Sequence, residues 1–296
     1  MNVTRKGIAA YVAIAYGLAW ISWEVSFQLD GATSQLLFYL GAFAPAIAAI
    51  VVRTLVTREG FGDAGLGIDL RRWPYAGLGI DLRRWPYYLF AWLLPLAIIL
   101  VIAAEATAFS IADPDFSSLI ALHAMHHDMP PNLAPYSGFL MIVQELIRAV
   151  IFTPVLWGEE FGWRGYLQPR LAPDRPLFAA VLTGMIWSVW HYPLILRGFN
   201  YPENPWLGLL LFPVTSIFLS IIFGWLREKS RSIWASSLAH SSINAVGGSL
   251  SLLWFYGRAS QTWVGIQGIL GWLPLGAVCA WVLWSQRNKS AAGKAA

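Results

Sequence analysis

Long apolar runs recur along almost the whole of this 296-residue chain and constrain its fold more than any other feature. A helix needs roughly 20 residues to cross a hydrocarbon core, and inside lipid its backbone must satisfy its own hydrogen bonds. We therefore expect an all-α polytopic membrane protein with about eight transmembrane helices in one bundle. The candidate spans are 7–29, 35–57, 87–109, 137–160, 177–197, 205–226, 233–255 and 262–284.

The basic residues between these spans indicate the orientation of the chain. Loops rich in lysine and arginine stay in the cytoplasm, so both termini are predicted to be cytoplasmic, in a bacterial-type plasma membrane. The net charge of +4 is spread over these loops and forms no single patch, which argues against a nucleic-acid partner and leaves the lipid bilayer as the expected one. The basic groups lie at Arg5 and Lys6, 58–84, 164–175, 227–231 and 287–294.

The gaps between spans are too short for a second domain, so residues 1–296 are interpreted as a single membrane domain. The 58–86 loop contains a duplicated 12-residue segment, since Ala64–Tyr75 is repeated as Ala76–Tyr87. A surface loop can accommodate such a duplication because the entropy of loop closure changes slowly with length. The small, polar and basic residues 285–296 are predicted to form a disordered tail.

Two adjacent carboxylates, Glu159 and Glu160, lie at the end of the fourth span and are followed by Arg164. Ionised groups are costly in a membrane and commonly mark a functional site. If the helix continues, Glu160 and Arg164 share a face and form an ion pair, whereas Glu159 is rotated away by about 100°. Glu159 is then a candidate general base. The alternative is a pair of glutamates that snorkel to the interface at a helix end.

Histidines in two later spans add further candidates. In the fifth span Pro193 follows His191 and removes a backbone donor, which predicts a break in the helix near this histidine. In the seventh span His240 and Asn244 are four residues apart and project from one helical face. Taken alone, each histidine also fits a packed core residue or an interhelical hydrogen bond. Counted along the helices, however, both histidines, the asparagine and Glu159 reach similar depths, which predicts one cytoplasm-facing pocket.

Three spaced motifs resemble those of the CPBP intramembrane protease family, which comprises type II CAAX prenyl endopeptidases and bacteriocin-processing or immunity relatives. The resemblance covers residues 137–255, which we interpret as the catalytic core. This family usually has phenylalanine where the chain has Trp187, a departure that leaves the chemistry intact and changes the pocket wall. The motifs are Glu159-Glu160-x-x-x-Arg164, Trp187-x-x-x-His191 and His240-x-x-x-Asn244.

The resemblance implies an intramembrane endopeptidase that hydrolyses a peptide bond of a membrane-associated protein or peptide near the cytoplasmic face. Glu159 and His191 would activate a water molecule for attack on this bond. His240 and Asn244 would polarise the carbonyl group and stabilise the oxyanion. The first-motif partners, Glu160 and Arg164, would be supporting residues.

The sequence alone does not decide whether the hydrolysis depends on a metal ion. The zinc-protease pattern His-Glu-x-x-His is absent, but Glu159, His191 and His240 could supply three ligands to a divalent ion such as zinc. We favour a metal-independent mechanism. The loop at 110–136 also contains several histidines and aspartates, yet adjacent His126 and His127 cannot share a helical face, and a solvated loop is the better interpretation.

Two other classes of function fit parts of the sequence. A non-proteolytic scaffold or bacteriocin-immunity protein of the same family would not need the complete set of polar residues that this chain retains. A transporter would explain other charged residues in or near the spans, namely Glu24, Glu105, Glu145 and Arg148. No inverted repeat relates the two halves of the chain, and Glu145 and Arg148 are spaced for a structural pair.

Overall fold

A computed structural model describes residues 3–66 and 82–292, and every regular element in this part of the chain is a helix, which confirms the all-α prediction. Most of the duplicated segment, at residues 67–81, lies outside the described residues. The helices are α1 (Val3–Ser26), α2 (Gly31–Val51), α3 (Trp85–Ala108), α4 (Leu119–Ala124), α5 (Ser137–Gly162), α6 (Gln168–Leu171), α7 (Pro176–Trp190), α8 (Tyr192–Leu196), α9 (Pro205–Ser230), α10 (Ile233–Ser242), α11 (Ser249–Trp254), α12 (Gln261–Val264) and α13 (Trp272–Ala292).

Short π-helical turns join or extend several of these helices. One follows α2 at Val52–Val56, a second joins α5 to α6 at Trp163–Leu167, and a third joins α10 to α11 at Ile243–Gly248. A π turn inserts an extra residue into a helix and is frequent at functional sites. The second and third turns contain candidate site residues, Arg164 and Asn244 respectively.

Five helices among the described residues are long and apolar enough to cross a membrane: α1, α2, α3, α5 and α9. Helix α7 is apolar but has only 15 residues, fewer than the roughly 20 that a straight crossing requires. The predicted seventh span is a continuous helix from α10 to α11, and the predicted eighth is interrupted between α12 and α13. The integral-membrane assignment is supported, whereas the count of eight spans stays a prediction.

The last helix differs from the sequence-based expectation. Helix α13 continues to Ala292, so most of the segment predicted to be a disordered tail is helical. This segment contains glutamine, arginine, lysine and alanine, which are good helix formers and can extend an existing helix without a new nucleation step. Residues 293–296 lie outside the described part of the chain.

One end of the bundle is rich in arginine and is organised around Asp63. The Asp63 carboxylate accepts from Arg53 Nη1 and from Arg170 Nη2, each over 2.8 Å. Its main-chain carbonyl accepts from Arg227, and the nearby Gly65 carbonyl accepts from the amide of Ile233 at 3.0 Å. These contacts join the ends of α2, α6 and α9 to the start of α10. We call this region the arginine-rich end.

The opposite end of the bundle is held by a different set of contacts between loops. Arg197 pairs with Glu24 at 2.6 Å, which links the loop after α8 to the last turns of α1. Tyr201 donates through its hydroxyl to the main-chain carbonyl of Gln267 over 2.7 Å. Because successive long helices alternate in direction, this opposite end contains the connections at 27–30, 191–204 and 255–271.

Close packing of α5 against α2 fixes the position of the glutamate pair. Gly158 and Gly162 lie four residues apart on α5, and both face α2. A Cβ atom on Gly162 would lie 2.5 Å from the backbone carbonyl of Pro45, and one on Gly158 would lie 2.8 Å from the ring of Phe43. Small residues at this spacing let two helix backbones approach closely. The two glutamates between these glycines are thereby held at a defined position in the bundle.

Candidate active site

Glu160 and Arg164 form the ion pair that their spacing predicted. Arg164 Nη1 lies 2.8 Å from Glu160 Oε1, and both side chains are fully buried. Arg164 also donates to the hydroxyl of Ser220 at 3.2 Å. Its guanidinium carbon lies 4.6 Å from the ring centroid of Trp187, within the range of a cation–π contact. A buried ion pair requires such additional partners because desolvation opposes it.

The same carboxylate oxygen of Glu160 also binds His240. Nδ1 of His240 lies 2.9 Å from Glu160 Oε1. A carboxylate can only accept a hydrogen bond, so Nδ1 carries the hydrogen, and a neutral ring has its lone pair on Nε2. Glu160 therefore joins Arg164 to His240 and orients the imidazole.

Glu159 makes a contact that the sequence did not predict. Its Oε2 atom accepts a hydrogen bond from the indole Nε1 of Trp187 at 2.8 Å, and its side chain is buried. The signal in the sequence is the tryptophan four residues before His191, which the family resemblance alone interprets only as a change of the pocket wall. The indole N–H gives Trp187 a polar function that a phenylalanine ring would lack.

His191 lies at the predicted break in the helix. Helix α7 ends at Trp190, His191 forms a turn, and the short helix α8 begins at Tyr192 with Pro193 in its first turn. Nδ1 of His191 lies 2.9 Å from the main-chain carbonyl of Trp187. Because a carbonyl oxygen can only accept, Nδ1 carries the hydrogen, and the neutral ring has a free Nε2.

The four residues proposed as catalytic from the sequence all line one cavity of about 150 Å³. They are Glu159, His191, His240 and Asn244. Three of them are buried, whereas Asn244, in the third π turn, exposes its side chain on the cavity wall. This volume has room for a few water molecules.

The lining of this cavity extends towards the opposite end of the bundle, and its predicted cytoplasmic orientation stays a prediction. Its outermost lining residues include Phe199, Asn200 and Gln267, which belong to the connections of the opposite end. Counting residues along single helices gives the depth of each residue in the membrane. It does not give the direction in which a cavity between helices extends.

The fit of a metal ion can be tested on the side chains themselves. Among residues 3–66 and 82–292, no group of three or more His, Cys, Asp or Glu side chains is arranged to hold a metal ion. A metal ion bound by Glu159, His191 and His240 therefore stays a prediction from the sequence.

The other charged residues noted in the sequence are placed away from this cavity. Glu145 pairs with Arg148 at 2.8 Å, as their spacing predicted, and Arg148 also donates to Ser249. In the 110–136 loop, His123 and Asp128 form an exposed pair at 2.8 Å. These contacts account for Glu145, Arg148, His123 and Asp128 as members of local pairs.

Comparison with known proteins identifies the central part of the chain. Residues 139–246 match the family described as type II CAAX prenyl endopeptidase Rce1-like. This segment is similar to the type II CAAX prenyl endopeptidases of the CPBP intramembrane protease family. The match confirms the resemblance seen in the sequence, and the Rce1-like segment contains all four residues that line the cavity together.

A curated relative supports the same assignment for the Rce1-like segment. The chain is 36% identical over 115 residues to CAAX prenyl protease 2 of Methanococcus maripaludis. This alignment covers 36% of the chain and 40% of the relative. The chain thus matches less than half of the relative's length.

Proposed function

We propose that this protein is an intramembrane endopeptidase that hydrolyses a peptide bond in a membrane-associated protein or peptide. The observation that carries this proposal is the convergence of Glu159, His191, His240 and Asn244 on one cavity. These four polar groups come from three separate helical regions of the Rce1-like segment. A scaffold or immunity protein would have no need to bring them together.

The proposed reaction begins with a water molecule between Glu159 and His191. A proton moves from this water to the Glu159 carboxylate, and the water oxygen forms a bond to the scissile carbonyl carbon. His191, which has its lone pair on Nε2 when neutral, holds the water by accepting its second hydrogen. Trp187 keeps the carboxylate in place through Oε2.

The remaining steps stabilise charge and release the products. Negative charge develops on the carbonyl oxygen, where the Asn244 amide and a protonated His240 can donate hydrogen bonds. Glu160 accepts from Nδ1 of His240 and thereby fixes the orientation of the imidazole ring. The carbon–nitrogen bond then breaks, the amine leaves with the proton held by Glu159, and the other product is a carboxylic acid, which releases its proton to water.

The topology and substrate are further parts of the proposal. We propose about eight spans with both termini in the cytoplasm of a bacterial-type plasma membrane, on the basis of the arginine and lysine distribution. The name of the curated relative suggests a prenylated substrate. A membrane-held peptide without a prenyl group is the alternative, and the two can be compared directly.

The test is cleavage of membrane-tethered peptide reporters by purified protein in liposomes, with one prenylated and one unprenylated reporter. We expect Glu159→Gln to abolish cleavage because the amide cannot accept the proton from water. Glu145→Gln, on the same helix but outside the cavity, is the matched control and should retain activity. Full activity of Glu159→Gln would rule out the proposed base.

The same cleavage assay tests whether hydrolysis requires a metal ion. We expect cleavage to persist after dialysis against a chelator, with no stoichiometric metal in the purified protein, because the three candidate ligands are not grouped. Loss of activity on chelation, with recovery on addition of zinc alone, would instead assign a metal-dependent mechanism.

A further inference from the structure

Helix α1 is joined to the end of α7 by three hydrogen bonds from side chains to main-chain carbonyls. The hydroxyl of Tyr16 donates to the carbonyl of Ile186, and the indole Nε1 of Trp20 donates to the carbonyl of Trp190 at 3.0 Å. In return, Nε1 of Trp190 donates to the carbonyl of Ala15 at 3.2 Å. We call these three contacts the α1 clamp. Helix α1 lies outside the Rce1-like segment, which begins at residue 139.

The clamp acts where the backbone of α7 loses a helical hydrogen bond. In an uninterrupted helix the amide of Leu194 would donate to the carbonyl of Trp190. Here it donates to the carbonyl of His191 at 2.9 Å, since the helix breaks at this residue. A buried main-chain carbonyl needs a donor, and the indole of Trp20 supplies one. The bond from Trp20 thus replaces a helical bond at the residue next to His191.

The end of α7 also fixes the imidazole ring of His191. This ring contacts the rings of Trp190 and Phe212 edge to face, at centroid distances of 4.8 and 4.9 Å. Trp190 packs in turn against Trp23 of α1 at 4.5 Å, and Trp23 lines the cavity. Because Nδ1 of His191 is bound to the carbonyl of Trp187, the direction of Nε2 depends on the last turn of α7. The α1 clamp holds this turn.

The two donors of the clamp do not take part in the reaction directly. The described residues that line the cavity include neither Tyr16 nor Trp20. Their rings contact each other at a centroid distance of 5.2 Å, so they form one unit on α1. Trp20 is 37% exposed, whereas Trp23 on the same helix is 1% exposed. The specific contact of Trp20 with α7 is therefore the hydrogen bond from its N–H group.

We propose that Tyr16 and Trp20 are positioning residues for His191, and that α1 is part of the active-site scaffold although it lies outside the Rce1-like segment. They act through two main-chain carbonyls in the last turn of α7 and thereby direct Nε2 of His191 towards the water molecule beside Glu159. This inference rests on the proposed function for the reaction, and on the hydrogen bonds of the clamp for the orientation of the ring.

The first test observes the imidazole ring and needs no activity. Protein with isotope-labelled histidine nitrogens is reconstituted in liposomes at about pH 8, above the ordinary pKa of histidine. Magic-angle-spinning NMR then distinguishes ring nitrogens that carry a hydrogen from those that do not. The signals of His191 are identified by their loss in His191→Gln. In the unmodified protein we expect a single tautomer of His191 with its hydrogen on Nδ1.

Trp20→Phe keeps an aromatic ring and removes the N–H group. We expect the signals of His191 to shift or split in this variant, because the turn that fixes its ring is no longer held, while the signals of His240 stay unchanged. The matched control is Trp92→Phe, which removes an indole bond to the carbonyl of Leu146 at 2.9 Å and should leave His191 unchanged. Unchanged signals of His191 in Trp20→Phe, or the same change in both variants, would overturn the proposal.

The second test connects the clamp to cleavage of the reporter. Trp20→Phe should lower kcat about two- to tenfold at an unchanged KM, because the loss of one hydrogen bond misplaces the water and not the peptide. Trp92→Phe should retain kcat. An unchanged kcat in Trp20→Phe, or a change in KM only, would show that the clamp does not contribute to the reaction. If Trp20→Phe does not fold, Tyr16→Phe, which removes only a hydroxyl group, takes its place in both tests with the same expectations.

Failure of this inference is distinguishable from failure of the proposed function. An absence of cleavage in the unmodified protein would refute the proposed protease. The NMR signals of His191 would still decide whether α1 orients its ring.

Discussion

The indole N–H of Trp187 donates to Oε2 of Glu159 over 2.8 Å, and the main-chain carbonyl of the same tryptophan lies 2.9 Å from Nδ1 of His191. Both acceptors and donors are buried, so water competes little for these bonds. One residue therefore orients the two groups that we propose to activate water.

Replacement of Trp187 by phenylalanine keeps an aromatic ring and removes the N–H. A hydrogen bond to a charged group contributes about 1.5–3 kcal/mol, so we expect kcat to fall by about tenfold or more while KM changes little. The matched control is Trp92→Phe, which removes an indole bond to the carbonyl of Leu146 away from the cavity. Equal kcat values for the two variants would contradict a positioning function of Trp187.

The buried pair of Glu160 and Arg164 predicts a large effect on stability. Arg164→Leu leaves a buried carboxylate without its cation and is expected to cost about 3–5 kcal/mol in the free energy of unfolding. Arg197→Leu removes an exposed ion pair with Glu24 and should change stability little. Thermal unfolding of both variants in the same detergent gives the comparison. Similar melting temperatures would show that the buried pair is not important for stability.

The contact between α5 and α2 predicts opposite effects for two glycine substitutions. Gly162→Ala places a methyl group against the backbone of Pro45 and should destabilise the protein by about 1–3 kcal/mol. Gly17→Ala, in α1, meets no atom within 4 Å and should be neutral or stabilising, because alanine favours a helix. The measurement is again thermal unfolding. A stable Gly162→Ala variant would mean that the helices can separate without loss.

Asp63 predicts a pH dependence at the arginine-rich end. Burial raises the pKa of its carboxyl group, but the hydrogen bonds and charges of Arg53 and Arg170 outweigh it and hold the pKa below the ordinary value. The ionised group therefore stabilises the fold at neutral pH, and this contribution disappears as the pH falls below the ordinary value and through the folded-state pKa.

We expect Asp63→Asn to melt below the unmodified protein at about pH 7, with a difference that shrinks as the pH is lowered towards about 3. Asp174→Asn, at an exposed position, is the control and should show no such trend. A difference that grows on acidification would have the wrong sign for this interpretation.

Helix content and the main pairs of the site were predictable because they depend on local spacing. The Glu160–Arg164 pair follows from a separation of four residues, and the break at His191 follows from Pro193. The bond between Trp187 and Glu159 joins two helices 28 positions apart, so it depends on their relative rotation. The opening of the cavity likewise depends on how several helices pack.

The contacts of Asp63 and Gly65 have a consequence for the history of the chain. They fix the backbone at the start of the first twelve-residue copy, so we expect a change of length beyond them to leave the cavity unchanged. Since the copies are identical, deletion of residues 67–78 restores a single unduplicated sequence. The contacts of Asp63 and Gly65 thus separate the loop from the bundle, so the chain could acquire the duplication without a change in the packing around the cavity.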